Sequence, residues 1–233
     1  PMELNGNLAP PSWPGGPFTY IFILGGIDED GNVLNELRWF DVAMPPPQRQ
    51  EEDETGPGDY FLLAPMPVER AYHKAFAIPA DASIDRPWRI VVVGGFDRNG
   101  NYISQVDRYT FTDIMSPVLG NWETIGDMPE AAAGVGGGWQ THPNGFVYHQ
   151  MVGRTTKGYT SSVFDMLVDS GGGVTVSYAP HRLLSRGWVN MAHVSIPSLV
   201  AQQFGWDPGP PDYYIIGGVT EEGPVPYVEH YQP

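Results

Sequence analysis

The residues that could do chemistry are few, and their spacing limits which chemistry the sequence predicts. None of the six histidines falls at the spacing of a metal-binding pair, and the absence of cysteine removes thiolate zinc sites and cysteine nucleophiles. The acidic segment Asp28 to Asn32 could capture calcium, but Trp39 stands where a helical calcium loop needs its bidentate acid. We therefore predict a hairpin turn there, like the one predicted at Asp97 to Asn101, and no metal site.

Catalytic motifs are missing from the sequence. There is no Gly-x-Ser-x-Gly elbow, no phosphate-binding loop and no His-Glu-x-x-His pair. The segment Gly134 to Gly138 is similar to a dinucleotide-binding turn, but Trp139 fills the third glycine position and no βαβ pattern surrounds it. We therefore predict a glycine-rich strand at this place and no cofactor. The missing motifs favour a protein that is not an enzyme, and an enzyme stays open as an alternative.

Composition indicates which elements must position these residues. With 29 glycines and 24 prolines among 233 residues, the chain is poorly suited to helices, while its 41% hydrophobic residues are enough for a core. A net charge of −15 repels phosphate backbones and anionic lipid surfaces, so neither nucleic acid nor a membrane is an expected partner. High aromatic content and strong acidity favour an extracellular or secreted protein, with a cytoplasmic one as the alternative.

A repeat runs through the chain. Four apolar runs end in glycine, and an aromatic residue follows eleven to fourteen positions after the last glycine of each run. Next comes a strand that ends near proline, as in Tyr60 to Pro67, and then a strand leading to the next glycine pair. Each unit therefore predicts four strands. The runs are Tyr20 to Gly26, Ile90 to Gly95, Phe146 to Gly153 and Tyr213 to Gly218, and the aromatics are Phe40, Tyr109, Phe164 and Tyr231.

These features resemble the kelch repeat of β-propellers: a double glycine after the second strand, an aromatic about a dozen residues on, and a tryptophan before a proline-ended turn, as in Trp122 to Pro129. The pattern is weakest at Gly153, where Val152 replaces the first glycine. The resemblance implies an all-β propeller of about four four-stranded blades in one domain. The predicted parts are an N-terminal segment of residues 1–17 and repeats at residues 18–67, 68–129, 130–181 and 182–233.

Counting strands raises the question of how such a ring closes. The last repeat ends after its aromatic strand and so lacks an outer strand. Leu8 to Pro11 is similar to Leu63 to Met66, which ends the first outer strand. We therefore predict that residues 2–11 supply the outer strand of the last blade and close the ring. The alternative is that the four units belong to a larger ring or array.

The resemblance also implies where a ligand binds, on loops between the second and third strands and between blades. For Arg70 and Arg186 the alternative is structural, because kelch repeats often use an arginine there to brace the neighbouring blade. The side chains suited to recognition in these loops are Arg70, Tyr72, Arg98, Arg154, Tyr159, Arg186 and Trp188.

The predicted function is that of a non-catalytic module that binds a protein or glycan ligand. One alternative is a structural subunit that assembles into a homo-oligomer, ring or filament through incomplete blades. A second is an enzyme that converts a sugar or another small molecule in the propeller channel.

Overall fold

The computed structural model describes residues 2–3, 20–41, 60–78, 80, 87–112, 119–142, 145–151, 153–169, 174–183, 187, 189–196 and 212–231. Within these ranges the chain forms nineteen β-strands and no α-helix, which confirms the all-β prediction. Every strand pair there is antiparallel, and none of the sheets closes into a barrel. No helix in this part of the chain is long and apolar enough to cross a membrane.

Four sheets follow one another along the chain, each built from strands that are consecutive or interrupted by one small hairpin. The first sheet contains β1 (Met2–Glu3), β2 (Tyr20–Ile27), β3 (Val33–Asp41) and β4 (Tyr60–Leu62). The second contains β5 (Lys74–Ile78), β6 (Trp88–Val93), β7 (Gln105–Phe111) and β8 (Asn121–Asp127). The third region comprises β9 (Gly136–His142), β10 (Gly145–Met151), the hairpin of β11 (Arg154–Thr155) and β12 (Gly158–Tyr159), β13 (Ser162–Asp169) and β14 (Val174–Leu183); its sheet has the order β9-β10-β13-β14. The fourth comprises β15 (Ala192–Ile196), β16 (Asp212–Ile216), the hairpin of β17 (Val219–Thr220) and β18 (Gly223–Pro224), and β19 (Val228–Tyr231); its sheet has the order β15-β16-β19.

The predicted unit of four strands is confirmed for the second and third sheets. The fourth sheet has three strands among the described residues, as strand counting predicted. The prediction for the N-terminal segment is wrong where it can be tested: Met2 and Glu3 pair with Phe22 and Ile21 in the first sheet, not with the fourth sheet. The physical reason is that β2 offers an edge of unpaired backbone groups opposite β3, and β1 satisfies part of it. Residues 4–11 lie outside the described part.

The double glycines are corners with positive φ at the end of the second strand in the first, second and fourth sheets. The φ angles are +48° and +105° at Gly25 and Gly26, +67° and +99° at Gly94 and Gly95, and similar at the pair that ends β16. Space is also short at Gly94, where a Cβ atom would lie 2.6 Å from the carbonyl oxygen of Ala132. Glycine is required here for both backbone conformation and close packing. Val152 lies outside the described residues.

Strand β6 shows how the sheets are stacked. Its residues from Arg89 to Val93 are all buried, the pattern of a strand that is covered on both faces. Alternate residues join different cores: Ile90 and Val92 pack against the first sheet, while Val91 and Val93 face the opposite way. The core between the first and second sheets comprises Phe22, Leu37, Trp39, Leu63, Met66, Ile90, Val92, Tyr109 and Phe111. The core on the other face comprises Phe76, Ile78, Val91, Val93, Val106, Met128, Ala132 and Val135.

The first strands of the successive sheets lie side by side, β1 against β5, β5 against β9, and β9 against β15. The outer strands are linked too. Trp122 on β8 donates a 2.7 Å hydrogen bond from Nε1 to the carbonyl oxygen of Ala64, just after β4. Its ring packs on Tyr109, with centroids 5.2 Å apart. The tryptophan of the repeat therefore fixes one outer strand against the end of the preceding one.

Candidate binding face

Arg70, a predicted ligand residue, lies in the interior and is fully buried. Its guanidinium forms an ion pair with the buried carboxylate of Asp107. Nη1 also donates to the carbonyl oxygens of Gly94 at 3.2 Å and Gln105 at 3.1 Å. Burial lowers the pKa of Arg70, and the charge of Asp107 opposes that shift. The side chain is directed into the protein and offers no surface to a ligand.

The backbone of Arg70 bonds to the first sheet while its side chain bonds to the second. Its N–H donates to the carbonyl oxygen of Leu34 at 3.0 Å, and its own carbonyl accepts from the N–H of Gly26 at 3.0 Å. These contacts match the structural alternative predicted for Arg70, in which the arginine braces two neighbouring sheets.

The same pattern of hydrogen bonds holds each of the two acidic hairpins. The Asp28 carboxylate accepts from the backbone N–H of Asp30 at 3.0 Å and of Asn32 at 2.7 Å, and from the Asn32 amide at 2.9 Å. Asp97 accepts the corresponding bonds from Asn99 and Asn101 at 2.8 to 3.0 Å. The Asn32 side-chain bond is the largest of the effects that lower the pKa of Asp28. The predicted hairpin turn is therefore confirmed at both places.

The other two hairpins use threonine instead of aspartate. In the first, the hydroxyl of Thr155 accepts from the N–H of Lys157 at 3.1 Å and donates to the carbonyl oxygen of Gly158 at 3.4 Å. The Thr220 hydroxyl makes the same pair of contacts with Glu222 and Gly223. All four loops after the second strands are thus short and held by their own side chains.

A second set of corners lies where the chain enters a new sheet. Tyr72, Gly134 and Asn190 occupy equivalent places with φ angles of +54°, +65° and +53°. The Gly134 N–H donates to the Tyr72 carbonyl at 2.8 Å, and the Asn190 N–H donates to the Gly134 carbonyl at 3.4 Å. Successive corners are therefore joined directly by backbone hydrogen bonds. The residue before each corner forms an isolated bridge, and these bridges are Ala71–Phe96, Ala133–Arg154 and Val189–Val219.

The corner at Tyr72 presents an aromatic platform. Its ring stacks on Phe96 with centroids 5.3 Å apart and an interplanar angle of 23°. The Tyr72 side chain nevertheless remains 51% exposed. Arg98, in the adjacent hairpin, forms a two-point ion pair with Glu69, and the bond from Arg98 lowers the pKa of Glu69.

The next corner carries a cation and a second aromatic ring. The Arg154 guanidinium lies 5.6 Å from the centroid of the Tyr159 ring across the β11–β12 hairpin, and Arg154 is exposed. Arg154 bridges to Ala133, whose neighbour Gly134 bonds to Tyr72, so the two corners adjoin. We call the five side chains Tyr72, Phe96, Arg98, Arg154 and Tyr159 the corner patch.

The structure thus places four of the seven predicted site residues in one patch and buries a fifth. Arg186 and Trp188 lie outside the described residues. The bridge at Val189 shows that Val189 is the equivalent of Ala71, so Arg186 stands two positions away from the equivalent of Arg70. Phe96 and Glu69 were missed in the sequence. The position of Phe96 directly after the second glycine, shared with Arg154, is the signal that could have identified it.

Within the described part of the chain, no group of three or more histidine, aspartate or glutamate side chains is arranged to hold a metal ion. Comparisons of the sequence with protein-family models and with curated proteins find no match. Among solved structures, that of YjhT is similar over 93% of this chain and 82% of its own, at 13% sequence identity and a TM-score of 0.38.

Proposed function

We propose that this chain is a kelch-like β-propeller module that binds a protein or glycan ligand through the corner patch and carries out no catalysis. Three features support the propeller architecture: both faces of the second sheet are covered, the first strands are neighbours, and the glycine pairs recur at equivalent corners. Four-stranded sheets that stack in this way around an axis are the units of a propeller.

The observation that carries the binding proposal is the backbone conformation of Tyr72. A left-handed conformation costs a residue with a Cβ atom about 1–2 kcal/mol. The equivalent corners use glycine and asparagine, which tolerate it better. Tyr72 instead holds a large, exposed aromatic side chain in this position. Such strain is characteristic of functional positions, and tyrosine and arginine are the residues that contribute most at interfaces.

The chemistry of the patch suits a neutral or polar ligand more than a strongly anionic one. Arg98 is already paired with Glu69, and Arg154 lies over the face of Tyr159. The stacked rings offer a flat apolar surface to a sugar ring or an aromatic side chain, and the two guanidinium groups supply hydrogen-bond donors at its margin.

Binding to glycan and peptide arrays, followed by titration of the hits, tests this proposal. Tyr72→Asn copies the residue of the fourth-sheet corner, so it keeps the backbone and removes the ring. We expect it to weaken binding at least tenfold. Leu119→Ala is the matched control, since Leu119 is 84% exposed and is not part of the patch. Unchanged affinity in Tyr72→Asn, or hydrolytic turnover without any binding, contradicts the proposal.

A further inference from the structure

Among the described residues, the first and the fourth sheet each carry exposed apolar side chains on one face. In the first sheet, Phe22 and Trp39 pack against the second sheet, whereas Ile23 and Leu62 on the opposite face are 48% and 62% exposed. Ile23 pairs with Arg38, and Arg38 pairs with Leu62, so these side chains form one continuous strip across three strands. This strip is the open face of the first sheet.

In the fourth sheet the opposite face is the exposed one. Ile215 is fully buried, whereas Ile216 and Val228, which pair across β16 and β19, are 42% and 62% exposed. Beside them Tyr214 stacks on the exposed His230, with centroids 5.0 Å apart. These four side chains form the open face of the fourth sheet.

Strand register indicates that the two open faces are complementary. One corresponds to the face that a sheet turns to the next sheet, and the other to the face that receives the preceding sheet. Ile23 and Val92 both lie two residues before a glycine pair, and Val92 is buried against the first sheet. Ile216 and Leu24 both lie directly before a glycine pair, and Leu24 packs against the second sheet. The open face of the fourth sheet is therefore equivalent to the face that the first sheet turns to the second, and the open face of the first sheet is equivalent to the surface receiving it.

The open face of the first sheet also borders a solvent-open cleft of about 520 Å³. Its lining includes Ile23, Leu34 and Arg38 and the carboxylates of Asp28, Glu29, Asp30 and Glu36. Ile23 pairs with Arg38 just as Val92 pairs with Asp107, the acceptor of the buried Arg70. Arg38 thus stands where the second sheet carries its acceptor carboxylate, so a junction at this face would form without the buried arginine–aspartate ion pair.

We propose that these faces bind a second copy of this chain head to tail, the fourth sheet of each copy on the first sheet of the other. This contact would continue around the molecule the junction already present between the first and second sheets. Two identical junctions close a ring of two chains. The resulting eight sheets lie within the usual range for propellers, which is about four to eight blades. This ring rests on the propeller architecture proposed above but not on the ligand of the corner patch.

Sedimentation velocity over a range of concentrations tests the contact with variants of exposed residues, which should not disturb folding. We expect the wild type to have the mass of two chains and Leu62→Arg and Val228→Arg each to be monomeric. Mixing the two variants should restore a pair held by one of the two junctions, because each chain contributes the intact face that the other lacks. Leu119→Arg is the control and should remain paired. Near-ultraviolet circular dichroism verifies that all variants are folded.

The mixing result is specific to a head-to-tail contact. If identical faces bound each other, only one of the two variants would become monomeric. The proposal is overturned if only one variant becomes monomeric. It is also overturned if the wild type stays monomeric at high concentration or if its mass rises beyond that of two chains. Loss of ligand binding in Tyr72→Asn with the pair intact would show that the two proposals are independent.

Discussion

The guanidinium of Arg70 and the carboxylate of Asp107 form an ion pair in which neither side chain is exposed to solvent. Asp107 also accepts hydrogen bonds from Gln105 at 2.8 and 3.0 Å and from the hydroxyl of Thr124 at 2.8 Å. The carboxylate is therefore fully used, and the pair joins the entry to the second sheet with its third and fourth strands.

Removing one member of this pair should be strongly destabilising. Arg70→Met leaves Asp107 buried without its counter-charge, and we expect a loss of about 3–5 kcal/mol in the free energy of unfolding, measured by urea titration. Arg98→Met, which removes the exposed ion pair with Glu69, should change the midpoint little. Equal effects of the two substitutions would contradict the assigned role of Arg70.

Substitutions at Gly94 and Gly100 distinguish the energetic cost of backbone conformation from that of packing. Both have positive φ, +67° and +77°, but only at Gly94 would a Cβ meet other atoms. Gly100→Ala should therefore cost about 1–2 kcal/mol for conformation alone. Gly94→Ala should cost about 1–3 kcal/mol more, because Ala132 and Val135 leave no room. Thermal or urea unfolding measures both, and equal losses would exclude the packing contribution.

His73 should make stability depend on pH. Burial, followed by the nearby charge of Arg70, lowers its pKa to about 4. The unfolded chain, with a pKa of about 6.5, then binds a proton more readily than the folded one. The contribution is complete above pH 6.5 and is lost as the pH falls toward 4, at up to about 1.4 kcal/mol per pH unit.

The variant that isolates this effect is His73→Met, which copies Met191 at the equivalent position of the fourth sheet. Urea unfolding at pH 7 and pH 5 should show a smaller loss in this variant than in the wild type. Leu119→Ala, at an exposed site without a titratable group, should leave the difference between the two pH values unchanged. The interpretation fails if His73→Met keeps the full wild-type dependence.

Tyr72 offers a measure of stored strain. Tyr72→Gly and Tyr72→Ala both remove the stack on Phe96, but only glycine adopts the left-handed conformation without cost. We expect Tyr72→Gly to be about 1 kcal/mol more stable than Tyr72→Ala, by differential scanning calorimetry. Alanine and glycine variants of equal stability would show that the corner is unstrained.

The local features were predictable because they depend on neighbouring residues. The strands before Gly25, Gly94 and Gly217 and the hairpins at Asp28 and Asp97 follow from apolar runs, glycine conformation and side-chain capping within five or six residues. The sequence predicted four of the five residues of the corner patch, Tyr72, Arg98, Arg154 and Tyr159. It did not predict that they lie close together. Arg70 could not be separated from them, because the sequence shows a charge and not its depth.

By itself the sequence determined an acidic, cysteine-free, all-β protein whose repeated units each contain one glycine-ended strand. Only the tertiary structure decided that Arg70 is buried while Arg98 is exposed, that Phe96 supports Tyr72, and that Met2 and Glu3 join the first sheet. The physical reason is the separation of the interacting groups along the chain. Backbone conformation is set by adjacent residues, whereas burial and strand pairing depend on groups that lie twenty or more residues apart.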